Sequence, residues 1–258
     1  MAAALELIDV TKRFGGSGSG DALTAIKSVS FEVTAGQFVS VVGPSGCGKS
    51  TILNLVAGLD RPTEGEVRIE GVPVHGPNAK VAFMLQKDLL LPWRTIIRNI
   101  EFGLEARKVP SEKRRERALR ELERCRLTGF ADSYPFQLSG GMRQRAALAR
   151  TLAVDPEIVL LDEPFSALDA QTKIVLQRSF AATIAEAGIT ALLITHDLNE
   201  AVMMSDKVLV MSERPGQILE KIDINLPGRD DPIARGRSAC AQDYIKHIFE
   251  MLHLDEKT

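Results

Sequence analysis

Apolar residues along this chain follow two periods in turn, and the places where the period changes outline its organisation. Residues 5–10 (LELIDV) alternate and predict a strand, and GGSGSG at 15–20 predicts a flexible turn or hairpin loop. Residues 29–34 and 37–42 (VSFEVT and QFVSVV) predict strands separated by Ala35-Gly36, the second apolar enough to be central and buried. A glycine-rich turn follows, then a helix from about Lys49 to Gly58, and residues 66–70 and 80–85 predict further strands. From about 95 to 155 the pattern becomes helical. TIIRNIEFGLEARKV predicts one helix, SEKRRERALRELERCR a second with Pro110 at its first turn, and residues 140–154 a third.

Strand and helix then alternate. EIVLLDE predicts a buried strand, ALDAQTKIVLQRSFAATIAEAG a long helix, TALLITHD a buried strand, NEAVMMSD a short helix and KVLVMS a strand. This order predicts an α/β fold with a mainly parallel sheet, helices on both faces, and an inserted helical subdomain. Residues 226–237, rich in Pro, Gly and charge, read as a linker. Residues 238–252 predict a terminal helix with Tyr244, Ile245, Ile248, Phe249 and Leu252 along one face. The basic run Lys113–Arg117 is interrupted by Glu and reads as a solvated helix face.

Composition narrows the partners. The net charge of -2 leaves no global basic field, so nucleic acid is not an expected partner. Three scattered cysteines, Cys47, Cys125 and Cys240, indicate neither a disulfide framework nor a zinc cluster and fit a reducing compartment. The N-terminus does not resemble a secretory signal, and no apolar run approaches the length of a membrane span, so a membrane role would need another chain to supply the spans.

Gly43-Pro44-Ser45-Gly46-Cys47-Gly48-Lys49-Ser50-Thr51 matches the G-x-x-x-x-G-K-[ST] phosphate loop, with a buried strand before it and a helix after it. Glycines let successive N–H groups turn inward on phosphate oxygens, and the following helix adds its positive N-terminal dipole. Lys49 is expected at the β- and γ-phosphates, Ser50 at Mg2+ and Thr51 near the α-phosphate. Asp162 and Glu163 end an apolar strand, where α/β sheets bind ligands. One carboxylate can serve a metal and the other can deprotonate an attacking water. His196, after the next apolar strand, can hydrogen-bond a terminal phosphate and that water.

Leu138-Ser139-Gly140-Gly141-Met142-Arg143-Gln144-Arg145 opens a helix upstream of the carboxylate strand and resembles the signature motif of ABC ATPases. The resemblance covers nearly the whole chain, in the family's motif order. Gln86 matches the Q-loop glutamine, Asp162 and Glu163 the Walker B acids, Ser166-Ala167-Leu168-Asp169 the D-loop, and His196 the switch histidine. Phe14 falls where the family places an aromatic against adenine, although an aromatic after a first strand is also ordinary packing. The resemblance implies a P-loop NTPase with an antiparallel β part near the N-terminus. It implies one ATPase domain over 1–258: a catalytic core over about 1–94 and 156–225, a helical subdomain over 95–155, and a C-terminal linker and helix over 226–258.

It also implies that two copies clamp two Mg-ATP head to tail, with Ser139, Gly140 and Gly141 of one copy completing the other's site. Glu163 would be the general base, with His196 and Gln86 as further catalytic residues. Ser50, Gln86 and Asp162 would serve the metal, and Asp169 would belong to the nucleotide site. A groove in the helical subdomain would receive a permease helix. Leu90-Leu91-Pro92-Trp93-Arg94, Met142 and Ser212-Glu213-Arg214-Pro215-Gly216 with Ile218 resemble the importer subgroup for nitrate, taurine and aliphatic sulfonates. That implies a homodimer on the cytoplasmic face of the membrane, an integral permease and, indirectly, a solute-binding protein. Trp93 has two readings, as anchor of the subdomain or as lining of the permease groove. Cys47 has a minor reading as a redox handle. An exporter or lipid-moving complex would share every catalytic residue and stays open as an alternative. A soluble ABC protein on ribosomes or DNA fits less well, because the chain holds one phosphate loop, one signature and a short interval between Gln86 and Ser139.

Overall fold

The computed structural model describes residues 3–15, 22–166 and 168–254. The expected flexible loop at 15–20 lies outside these residues apart from Gly15, as does Ala167 of the D-loop motif. The chain starts with two long strands, β1 (Ala3–Phe14) and β2 (Leu23–Thr34), followed by the short β3 (Phe38–Val42) and helix α1 (Lys49–Val56). Three further strands, β4 (Glu64–Ile69), β5 (Val72–Pro73) and β6 (Val81–Met84), lead to three helices: α2 (Ile96–Ala106), α3 (Ser111–Arg124) and α4 (Gly140–Ala153). Next come β7 (Ile158–Asp162), α5 (Ala170–Ala187), β8 (Thr190–Ile194), α6 (Leu198–Met204), β9 (Lys207–Met211) and β10 (Ile218–Asp223). Two helices, α7 (Pro232–Gly236) and α8 (Ala239–Leu254), close the described chain.

The strands form two sheets. One is antiparallel with order β2-β1-β4-β5, and the other has order β10-β9-β3-β8-β7-β6. Its members from β9 to β6 run parallel, and β10 is an antiparallel edge. The central strands β3 and β8 are buried at every position, which is why they read as unbroken apolar runs. Parallel pairing brings the C-terminal ends of β3, β7 and β8 to one edge, so the phosphate loop, Glu163 and His196 follow neighbouring strands.

Two large cores flank the parallel sheet. One joins β1, β2 and α1 to it through residues such as Leu7, Ile26 and Ile52. The other joins α2, α4 and α5 to its opposite face, where Phe180 packs edge-on against both Phe38 and Phe165. Helices α2, α3 and α4 contribute Ile100, Leu122 and Leu148 to that second core, so their packing is continuous with the sheet.

Several local expectations need correction. Pro110 sits at the N-cap of α3, just before the first turn. The stretch read as a linker contains α7, capped by Asp231, whose side chain accepts from Ala234 N. Buried Arg235 fastens α7 by donating to the carbonyls of Met203 at 3.2 Å and Ser205 at 2.7 Å, and to that of Leu226. Such a guanidinium replaces the apolar contacts that periodicity detects. On α8, Ile248 is fully buried and Tyr244, Ile245 and Leu252 pack against the same cluster, whereas Phe249 is half exposed. Trp93 is 72% exposed, which removes its reading as a packed anchor of the subdomain.

Candidate active site

The phosphate loop leaves β3 and enters α1 through Gly48, the N-cap, at φ 102°. A Cβ there would lie 2.4 Å from Ile26 Cγ2, so both the backbone angle and the close approach of β2 require glycine. Lys49, 8% exposed, turns its ammonium onto the carbonyls of Gly43 at 2.7 Å and Pro44 at 2.8 Å. Neutral carbonyls are its only oxygen partners among the described residues. Its charge also acts on Asp162, and a buried ammonium hydrogen-bonded to neutral carbonyls suits a polyanion. The adjoining cavity, about 340 Å3, is lined by Ser45, Gly46, Gly48, Lys49, Ser50 and Thr51. Phe14 and Glu163 also line it. Phe14 is 42% exposed, with Lys12 Nζ 5.0 Å from its ring centroid.

Asp162 ends β7 beside this loop, where Ser50 Oγ donates to its Oδ1 at 3.4 Å. Burial pushes the Asp162 carboxyl above the usual carboxylate range, and the neighbouring Glu163 charge pushes it further. A cation would relieve that excess of negative charge. Mg2+ takes few protein ligands when phosphate oxygens supply the rest, so Ser50 and Asp162 suit it.

Glu163 adopts φ 45°, unusual for a residue with a side chain, while its N–H donates to Ile194 O at 2.9 Å. This turns its carboxylate away from the strand direction and toward two partners. Gln86 Nε2 donates to Glu163 Oε2 at 3.2 Å, and His196 Nδ1 lies 3.2 Å from the same oxygen. Gln86 Nε2 also reaches Ser166 Oγ at 3.3 Å, leaving Oε1 as the amide atom available to a cation. Residues from three separate loops thus meet at one carboxylate.

The segment carrying Gln86 is held by α4. Gln144 Nε2 donates to Gln86 O at 3.0 Å, Arg143 Nε to Asp88 Oδ2 at 3.0 Å, and Arg150 to the carbonyls of Leu89 and Asp88 at 2.7 and 2.6 Å. Ser139 caps the same helix, its Oγ accepting from Met142 N at 3.3 Å. Gly141 packs against α5, where an added Cβ would lie 2.5 Å from Thr172 Cγ2. Asp169 caps α5 by accepting from Thr172 N at 3.0 Å, and that backbone bond lowers its pKa. None of Ser139, Gly140, Gly141 and Asp169 lines the phosphate-loop cavity. Gly43, Pro44 and Cys47 do not line this cavity, and Cys47, 1% exposed, is shielded against the redox reading.

Two features escaped the sequence reading. Arg214, quoted there only as part of a motif, lines the cavity. Lys173 on α5 bonds Asp197 Oδ2 at 2.7 Å and Glu200 Oε1 at 2.5 Å, next to His196. No local pattern announces such a pair, because its members come from different helices. A separate cavity of about 810 Å3 lies between α2 and α3 and is lined by Trp93, Arg98, Glu101, Arg115 and Tyr134 among others.

The profile of the family described as ABC transporter matches residues 26–166. The chain belongs to the ABC transporter family. Among relatives of this ABC ATPase, the taurine import ATP-binding protein TauB of Yersinia pestis bv. Antiqua is 46% identical over 80% of this chain and 80% of its own. The nitrate import ATP-binding protein NrtD of Synechocystis sp. is 41% identical over 88% of this chain and 85% of its own. The fold matches the ATP-binding cassette MJ0796, solved as a dimer in a post-hydrolysis state bound to ADP and Pi. That match has a TM-score of 0.76 and 34% identity, covering 86% of this chain and 99% of that one. The α/β fold and the ATPase class expected from the sequence are those of this ABC cassette.

Proposed function

We propose that this ABC ATPase powers a membrane importer of small anion-type solutes and works as a head-to-tail pair of copies. One observation carries the pairing: Glu163, Gln86 and His196 converge beside the phosphate loop, while Ser139, Gly140 and Gly141 stand outside that cavity. Each chain then holds the hydrolytic half of one site and the signature half of another.

In each site the backbone N–H groups of residues 43 and 45–48, with Lys49, hold the polyphosphate, Thr51 lies by the α-phosphate and Phe14 packs on adenine. Ser50, Asp162 and Gln86 would hold Mg2+, which would neutralise phosphate charge. Glu163 accepts the proton of the attacking water. His196 bonds the terminal phosphate, and its contact with Glu163 keeps the two groups in register. The partner copy's Ser139 and glycines 140 and 141 approach the γ-phosphate, with the N-terminus of α4 adding its dipole. Asp169 borders the shared interface.

No described helix is long and apolar enough to cross a membrane, and this reading assigns the spans to an integral permease. Its helix occupies the groove lined by Trp93, whose exposed indole supplies the apolar contact. The subdomain spans about 95–155, and the pair sits on the cytoplasmic face. Taurine and nitrate import relatives, together with Leu90–Arg94, Met142 and 212–216, support an importer of nitrate, taurine, sulfonate or similar solutes, served indirectly by a solute-binding protein.

The test is to tag the Glu163→Gln variant in its native cell, add Mg-ATP and identify co-purifying proteins from solubilised membranes by mass spectrometry. A polytopic permease with a solute-binding protein is the expected recovery. A permease without one would favour an exporter, and ribosomes or nucleic acid alone would sink transport.

A further inference from the structure

The loop between β9 and β10 is built onto the phosphate loop. Gly216 N donates to Ala25 O at 2.9 Å, and Lys27 N donates to Gly216 O at 3.0 Å. A Cβ on Gly216 would lie 1.9 Å from Cys47 O, so the two loops touch backbone to backbone. Ser212 N donates to Gln217 O at 2.9 Å and Gln217 N to Ser212 Oγ at 3.0 Å, closing the turn. From this fixed base Arg214 reaches over the phosphate loop, and both Nε and Nη2 donate to Gly46 O at 3.1 Å.

Two consequences follow. The first concerns orientation. In a planar trans peptide the C=O and N–H point in opposite directions. Holding Gly46 O against Arg214 therefore also fixes the direction of Cys47 N–H, which donates to Pro44 O at 3.4 Å. Gly46 has φ 77°, and glycine's freedom would let this peptide turn over if nothing pinned it. A turned peptide would point a carbonyl at bound phosphate. The second concerns charge. Arg214 lines the cavity, is exposed, and forms no ion pair among the described residues. Among the described residues no carboxylate pairs with this charge at the edge of the phosphate loop.

We infer that Arg214 is a positioning residue for the nucleotide polyphosphate, pinning the Gly46–Cys47 peptide in its anion-binding orientation and adding a cation to the cavity wall. The inference rests on the reading of residues 43–51 as the nucleotide site. Both effects act on the polyphosphate as a whole, so Mg-ATP and Mg-ADP gain alike.

The experiment titrates the purified full chain with Mg-ATP and Mg-ADP by calorimetry and follows steady-state hydrolysis in the wild type and in Arg214→Ala, Arg214→Gln, Arg214→Lys and Lys49→Ala. Arg214→Ala is expected to weaken both nucleotides by about five- to tenfold and to raise KM by the same factor, well beyond any fall in kcat. Arg214→Gln keeps a donor and loses the charge, so it falls between, and its gap from wild type narrows as salt rises. Arg214→Lys keeps the charge and recovers most of the loss. Unchanged affinity in Arg214→Ala, or a loss confined to kcat, overturns the inference while Lys49→Ala still abolishes binding. If Lys49→Ala binds like wild type, the phosphate-loop reading falls and the inference with it.

Discussion

Replacing Lys173 by Met tests whether the ion cluster behind His196 holds that corner of the fold. The ammonium lies between Asp197 and Glu200, with side-chain exposures of 22%, 29% and 3% for Lys173, Asp197 and Glu200. Removing one partner of a fully buried pair costs about 3–5 kcal/mol, mostly by stranding the other charge. Here Thr195 Oγ1 still donates to Glu200, and Asp197 keeps its bonds from Asn199 N and Glu200 N. Those remaining partners and the partial exposure reduce the expected loss to about 2–3 kcal/mol. For a domain of this size that lowers Tm by roughly 5–10 °C.

The pH dependence separates this cluster from simple loss of packing. Burial alone would raise the Asp197 carboxyl, but the hydrogen bond from Lys173 overrides it and holds the group below its ordinary 3.8. Burial would likewise lower Lys173, yet its bonds to Asp197 and Glu200 raise it above 10.5. A lowered carboxylate stabilises above its unfolded pKa and loses that contribution as pH falls through the folded value. A raised ammonium stabilises below its unfolded pKa and loses it as pH rises through the folded value. The Tm gap between wild type and Lys173→Met is therefore flat from 3.8 to 10.5 and narrows outside that range. Nucleotide-free thermal melts across pH measure it. A gap below about 2 °C at neutral pH, or one that widens on acidification below 3.8, refutes the reasoning.

Glu163→Gln should bind Mg-ATP but hydrolyse it at least about 100-fold more slowly, leaving a long-lived dimer visible by size-exclusion chromatography. Normal phosphate release from that variant would remove Glu163 from the role of base. Lys49→Ala should lose ATP binding or turnover, and an unchanged ATPase would overturn the phosphate-loop assignment. In the proposed pair, Ser139→Arg places a long side chain where the partner copy's γ-phosphate would approach. It should block ATP-driven dimerisation in the sedimentation profile while the monomer still binds nucleotide, and dimerisation like wild type would refute the shared site.

What the sequence disclosed depended on how local the physical cause was. Strands β3, β7 and β8 were legible because burial on both faces makes them continuous apolar runs. The phosphate loop was legible because its glycines, lysine and hydroxyl occupy fixed neighbouring positions. Strand β1 was foreseen as 5–10 but runs Ala3–Phe14, with bulged pairing near Leu7–Val10 and Asp9 at φ 48°, which breaks simple alternation. Edge strand β10 buries Ile222 but alternates it with exposed charge, too little apolar signal to separate from loop. Helix α7 escaped because its fastening is a buried arginine. Among site residues, the convergence of Gln86 and His196 on Glu163 depends on loops far apart in sequence, so their motifs named them without giving the contact. Arg214 and Lys173 were invisible as participants for the same reason.

Glu163 stands where two mechanical routes meet. Along one, Ser139 caps α4, Gln144 of α4 holds the Gln86 backbone, and the Gln86 side chain bonds Glu163. Along the other, Asp169 caps α5, Lys173 of α5 holds Asp197, and neighbouring His196 lies against Glu163. Both begin at residues outside the phosphate-loop cavity and end on the same carboxylate oxygen. A single chain therefore already contains short, hydrogen-bonded links from the surfaces proposed to meet a partner copy to the group proposed to deprotonate water. A shift of α4 would reach Glu163 through Gln144 and Gln86, and a shift of α5 through Lys173, Asp197 and His196.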